Sequence, residues 1–149
     1  MRVSRSALAV LVSGLMAAAT PALAADHEVH MKNQGADGTM VFEPGYLKVA
    51  PGDTVTFVPE DPAHNSHAVF TPDGADAWTG QLNEKVTVTL SKEGVYLYQC
   101  DPHMPLGMVG VIQVGGAGNL DAAKEKAETL SAGMAMNKGR FADYLGKVE

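Results

Sequence analysis

The chain has 149 residues, a formal net charge of −6 and a single cysteine, Cys100, beside five histidines and eight methionines. Its acidic balance excludes a nucleic-acid binder, because phosphates demand a basic surface, and one cysteine excludes an intramolecular disulfide framework. The length allows one domain with a real core and is too short for two.

Arg2 and Arg5 make a short positive region, and an apolar run from Ala7 to Ala19 follows. Pro21 then precedes Ala22-Leu23-Ala24, a small-residue cleavage site. The run is too short to span a bilayer, and the two arginines are not adjacent, as a twin-arginine signal requires. Residues 1–24 therefore read as a secretory signal peptide, with no membrane insertion of the mature chain, which starts near Ala25. Its removal takes away two arginines and no acid, which moves the formal charge to −8.

Turn signals at Asp37-Gly38, Pro51-Gly52-Asp53, Pro72-Asp73-Gly74 and Glu93-Gly94 divide residues 26–115 into short pieces. Between them the pattern has period two. Val55 and Phe57 alternate with Thr54 and Thr56, Val86, Val88 and Leu90 with Thr87 and Thr89, and Leu47 and Val49 flank Lys48. Such alternation predicts antiparallel strands with one face on a core and one in water. About eight of them make an all-β sandwich or barrel. Past Gly115-Gly118 the character changes. Asn119 is a candidate N-cap for a helix through Leu130, with Leu120, Ala123, Ala127 and Leu130 on one face. Gly133 interrupts it, and Asn137 is a candidate cap for a second short helix ending at Leu145. The tail is expected to pack on the sandwich as part of one domain, residues 25–149.

The chemistry concentrates near the last strands. Cys100, His103 and Met108 offer a thiolate, an imidazole and a thioether within nine residues, and His64 and His67 offer further imidazoles upstream. Soft sulfur favours Cu(I) and imidazole serves both copper states. A Cys with two His and a weak axial Met therefore suits a mononuclear copper centre for electron transfer. Structural zinc sites close with four Cys or His ligands, which this set does not supply. Strand parity agrees: Cys100 shares a face with Tyr98 and Tyr96, and Met108 with Gly110, Ile112 and Val114. Seven residues separate the two sulfur-bearing positions, so both strand ends can meet at one rim. His64 and His67 point to opposite faces of an extended segment, and spacing does not choose between them. His27 and His30 read as ordinary strand residues.

Several stretches carry a specific resemblance. They are Glu28-Val29-His30-Met31, Met40-Val41-Phe42-Glu43-Pro44, Leu47 to Phe57, His64-Asn65, Pro72-Asp73-Gly74-Ala75, Gly94-Val95-Tyr96, Cys100 with Pro102-His103, and Gly107 to Val114. In these the sequence resembles the pseudoazurins, a branch of the cupredoxin family of blue copper proteins. The resemblance implies an eight-stranded Greek-key sandwich with two short C-terminal α-helices and one type 1 copper. It implies the ligands His64, Cys100, His103 and Met108, choosing His64 over His67, and a role for Asn65 in holding the ligand loops together. It also implies a periplasmic electron carrier, not an enzyme, with nitrite reductase, nitrous oxide reductase or a cytochrome c-type protein as redox partner.

His103 is the expected electron exit, inside a small apolar docking patch of Met104, Pro105 and Leu106. A carrier that docks transiently is expected to be monomeric. Relatives ring this patch with lysines. Here Gln99 precedes the cysteine, Pro62 and Ala63 precede His64, and Asp101 follows Cys100. Ser66-His67 also depart from the family's apolar residue and acid. These changes predict a weakened or reversed electrostatic preference for partners.

Overall fold

A computed structural model describes residues 23–149; the expected signal peptide falls almost wholly on residues 1–22, outside the described residues. Eight strands form two four-stranded sheets. The first contains β1 (Asp26–Gly35), β2 (Gly38–Glu43), β4 (Asp53–Pro59) and β6 (Val86–Leu90) in the order β2-β1-β4-β6. The second contains β3 (Tyr46–Val49), β5 (His67–Phe70), β7 (Gly94–Gln99) and β8 (Val109–Val114) in the order β3-β8-β7-β5. Helices α1 (Leu120–Ala132) and α2 (Arg140–Leu145) complete the chain. Among the described residues no helix is long and apolar enough to cross a membrane.

The two-residue alternation places the strands of the first sheet. In β4, Asp53, Val55 and Phe57 are buried while Thr54 and Thr56 are half-exposed. On the outer face Thr56 lies opposite Thr87, and their hydroxyls bond at 2.7 Å, a pairing that helps fix the register. Two expectations need correction. β1 pairs with β4, and β3 with β8, in parallel, so the sandwich is mixed, with the chain crossing between sheets. Also, β7 and β8 are buried on both faces. Tyr96, Tyr98, Ile112 and Val114 face the first sheet. Val95, Leu97, Val109 and Val111 face Ala123, Ala127, Phe141, Tyr144 and Leu145 of the helices. Fully apolar strands require cover on both sides, and each such side chain contributes about 1.5–3 kcal/mol on burial.

The caps differ from expectation as well. Asn119 stands at the N-cap position of α1 without a side-chain cap bond. Instead its amide group pairs with the Val95 backbone at 2.7 and 3.0 Å, tying the helix start to β7. Asn137 does not cap α2, which begins at Arg140 after Gly139. It takes a positive φ of 52° and donates to the Leu106 carbonyl at 2.9 Å.

An aromatic group fills the space under the rim that bears Cys100. Tyr98 packs edge-on against Phe42 and Phe57, with centroids 4.7 and 5.0 Å away, and Trp78 stacks on Phe57 at 5.4 Å. Tyr98 lies opposite Gly110 across β7 and β8, and a Cβ on Gly110 would fall on its phenol ring. Among the described residues the buried Tyr98 hydroxyl has no hydrogen-bond partner. Chemical denaturation checks the consequence: Gly110→Ala costs about 1–3 kcal/mol by overpacking, whereas Tyr98→Phe stabilises, by about 1 kcal/mol, because it removes an unpaired buried hydroxyl.

Candidate metal centre

The end of β7 and the start of β8 create the site. The Cys100 N–H donates to the Met108 carbonyl at 2.9 Å, continuing the β7–β8 ladder past the strands. The connecting residues close by their own backbone bonds: the His103 N–H to Cys100 O at 3.2 Å, and the Leu106 and Met108 N–H groups to His103 O at 2.9 and 3.1 Å. The middle of this loop is a short 3-10 turn, Met104–Leu106. Gly107 ends it with φ of 77°, a left-handed conformation that favours glycine.

Three donor atoms converge there. His64 Nδ1 lies 3.1 Å from His103 Nδ1, and the Cys100 Sγ lies 3.7 and 3.5 Å from those two nitrogens. A triangle with these sides has its centre about 2.0 Å from each corner, close to ordinary metal–imidazole lengths and a little short of metal–thiolate ones. Two imidazole nitrogens at such separation, beside a sulfur, fit one shared cation. Met108 is fully buried and, through its backbone bonds to Cys100 and His103, lies in the same loop closure.

Protonation suits that use. His64 Nε2 meets Asn33 Oδ1 at 3.0 Å. An amide oxygen only accepts, so Nε2 carries the proton and Nδ1 turns a lone pair to the centre. Burial, and then the neighbouring His103, push the His64 pKa down, which keeps the ring neutral. Burial pushes the Cys100 thiol up, against the opposing pull of the Asn65 and His103 backbone N–H groups. A cation entering the site must therefore displace that proton.

The second layer is a hydrogen-bond network around Asp101. Asn65 accepts from the Asp101 N–H and donates to an Asp101 carboxylate oxygen, both at 2.8 Å, and it also donates to Gly80 O at 3.1 Å. His67 and Gln99 each meet the other oxygen at 2.9 Å. Burial raises the Asp101 pKa, but the bonds from Asn65, Gln99 and His67 outweigh it and hold the group below its ordinary value. Ser66 has a partner too: its hydroxyl accepts from the Trp78 indole N–H at 2.9 Å.

The structure thus brings together His64, Cys100 and His103. It leaves His67 half-exposed on β5 and bonded to Asp101, outside the cluster. His27 sits on β1 against Asp53 at 2.8 Å, and His30 beside Glu60 at 2.8 Å. Sequence reasoning missed Asn33. It lies 31 residues before His64, and only the path of β1 past the ligand rim brings it near. Around His103, Pro105 is exposed, while Met104 and Leu106 are half-buried, with Met104 packed on the helix-side core.

Residues 29–115 match the model of the copper-binding proteins of the plastocyanin/azurin family. The chain belongs to that family of copper-binding electron carriers, in its pseudoazurin branch. It is 47% identical over 120 residues to a pseudoazurin of Paracoccus pantotrophus, covering 78% of this chain and 83% of that protein. The crystal structure of native pseudoazurin from Hyphomicrobium denitrificans superposes with a TM-score of 0.75 at 39% identity, covering 83% of this chain and 98% of the other. Pseudoazurin from Methylobacterium extorquens gives 0.73 at 32% identity, covering 83% and 99%.

Replacing Asn65 with Ala removes the link between the His64 and Cys100 segments and strands the Asp101 N–H. The expected cost is about 1–3 kcal/mol in metal-free unfolding, together with faster loss of bound copper to a chelator.

Proposed function

We propose that the chain is a soluble, monomeric electron carrier of the periplasm, exported by residues 1–24, released near Ala25, and catalysing no reaction itself. In this reading His64 and His103 through Nδ1, Cys100 through its thiolate and Met108 through its thioether would hold one copper ion. The ion supplies a one-electron Cu(I)/Cu(II) couple. The converging triangle of His64, Cys100 and His103 is the observation that carries the reading.

What the protein contributes is constancy. His64 is fixed by Asn33 on one side and by the Asn65–Asp101 network behind it. Cys100 is fixed by the ladder bond to Met108. Donors held in this way change little between oxidation states, so electron transfer needs little rearrangement. His103 differs from His64 in being half-exposed, with Nδ1 directed inward. Its outer edge, framed by Met104, Pro105 and Leu106, is the proposed exit. Pro105 supplies the exposed part of that patch. The finer partner assignment is a nitrite or nitrous oxide reductase, or a cytochrome c-type protein, docking there in a small transient contact.

The visible and EPR spectra of residues 25–149 with Cu(II) test the ligand set. We expect an intense sulfur-to-copper band with narrow hyperfine splitting, lost in His64→Ala and kept in His67→Ala. Loss in His67→Ala alone would move the ligand, and no band in the parent chain would leave a metal-delivery or structural role.

Partner choice has its own test. The face shows Gln99, Pro62 and Ala63 in place of basic residues, and the Asp101 charge is tied to Asn65, His67 and Gln99. Stopped-flow exchange with acidic redox partners should change little from low to physiological ionic strength. Steep suppression by salt would sink this reading of the face.

A further inference from the structure

Arg140 is the first residue of α2 and is only 6% exposed. Among the described residues it forms no ion pair with a carboxylate. Its guanidinium is spent on backbone oxygens instead. One terminal nitrogen, Nη1, donates to Met40 O at 2.8 Å and Gly107 O at 2.6 Å. The other, Nη2, donates to Asp37 O at 3.1 Å and Thr39 O at 3.2 Å. A buried charge is costly unless hydrogen bonds replace its water, and four carbonyl dipoles do so here. They solvate the charge, and the Asp37 and Asp143 side chains stand around the same pocket beyond ion-pair distance.

The Gly107 carbonyl is the informative partner. It belongs to the peptide unit whose N–H is that of Met108, and this N–H donates to His103 O at 3.1 Å. The unit is planar. With its oxygen held by Arg140 and its N–H held by His103, both its orientation and the start of the Met108 side chain are set. Slack is removed from the other side as well. A Cβ on Gly107 would come within 2.7 Å of Asn137 Cβ and 2.9 Å of Met136 O, so the α1–α2 connection lies directly against the loop. The same guanidinium reaches the β1–β2 turn, so one side chain joins the hairpin, α2 and the ligand loop.

We infer that Arg140 is a positioning residue for the Met108 thioether, and that its positive charge beside the ligand loop, held by carbonyls and not by a carboxylate partner, favours the reduced form of the centre. The inference rests on the ligand set proposed above. Orientation and charge separate in two substitutions. Arg140→Lys keeps the charge and loses the fork, while Arg140→Gln loses both.

The test compares copper-loaded wild type with both variants by visible and EPR spectroscopy and by reduction potential. Axial ligation changes the relative intensity of the visible bands, so both variants should depart from the wild-type ratio. The potential should be lower in Arg140→Gln than in Arg140→Lys, because only the glutamine variant loses the charge. Wild-type spectra and potentials in both variants, with only a lowered melting temperature, would make Arg140 merely structural and overturn the inference. A colourless wild type would instead overturn the copper reading and the inference together. If neither variant folds, the Cu(I) wild-type protein decides by NMR. Scalar coupling through the hydrogen bond between the Arg140 side-chain nitrogen and the Gly107 carbonyl carbon supports the clamp, and its absence overturns it.

Discussion

Everything at the site depends on one backbone hydrogen bond, from the Cys100 N–H to the Met108 carbonyl. It extends the β7–β8 ladder by one step and turns seven intervening residues into a closed loop. Within that loop the His103 backbone is held at both its N–H and its C=O. The sulfur of Cys100 and the side chain of Met108 lie on the same inner face because strand parity puts them there. A slip of one residue between β7 and β8 would turn one of them outward to the helices. The centre is thus a property of sheet register before it is a property of side-chain chemistry.

His64 reaches the same point from a different part of the chain, so a second set of bonds must hold it. Asn33 fixes the ring from β1, and Asn65 fixes the backbone beside it to Asp101. These contacts divide the work. One selects the tautomer that turns Nδ1 inward, and the other keeps the His64 segment from drifting away from the Cys100 segment. The two departures from the family's pattern after Asn65 also find partners. Ser66 takes the Trp78 indole and His67 takes Asp101, so the local network is rebuilt with different side chains.

Much of this was legible in the sequence. The threonine-valine alternation of β4 and β6 marked a half-buried sheet, and the parity of Tyr96, Tyr98 and Cys100 placed the thiol inward. Alternation read the strands as half-exposed, and the burial of Val95 to Tyr98 on both faces emerges only with the helices in place. Other features have no local signature. Asn119 and Asn137 look like helix caps by type and position, and only the tertiary structure redirects them to Val95 and Leu106. Asn33 lies 31 residues from its histidine, and Arg140 lies 33 from the carbonyl it holds beside Met108. In sequence Asp101 is simply an acid on the docking face; in the fold its charge is already shared among three donors.

The order of the second sheet carries a consequence for how the protein is made. β8 is the last strand in the chain, yet it lies inside the sheet between β3 and β7, and its outer face is covered by helices nearer still to the C-terminus. A chain emerging from its N-terminus can pair β1, β2, β4 and β6 before residue 109 is available. The second sheet cannot close until β8 arrives, and its outer side stays wet until Phe141 and Tyr144 follow. A chain that lacks β8 therefore leaves its thiol beside an unfinished edge and has no complete set of donors to offer a metal. The metal centre is thus among the last parts of the fold that the order of the strands allows to form.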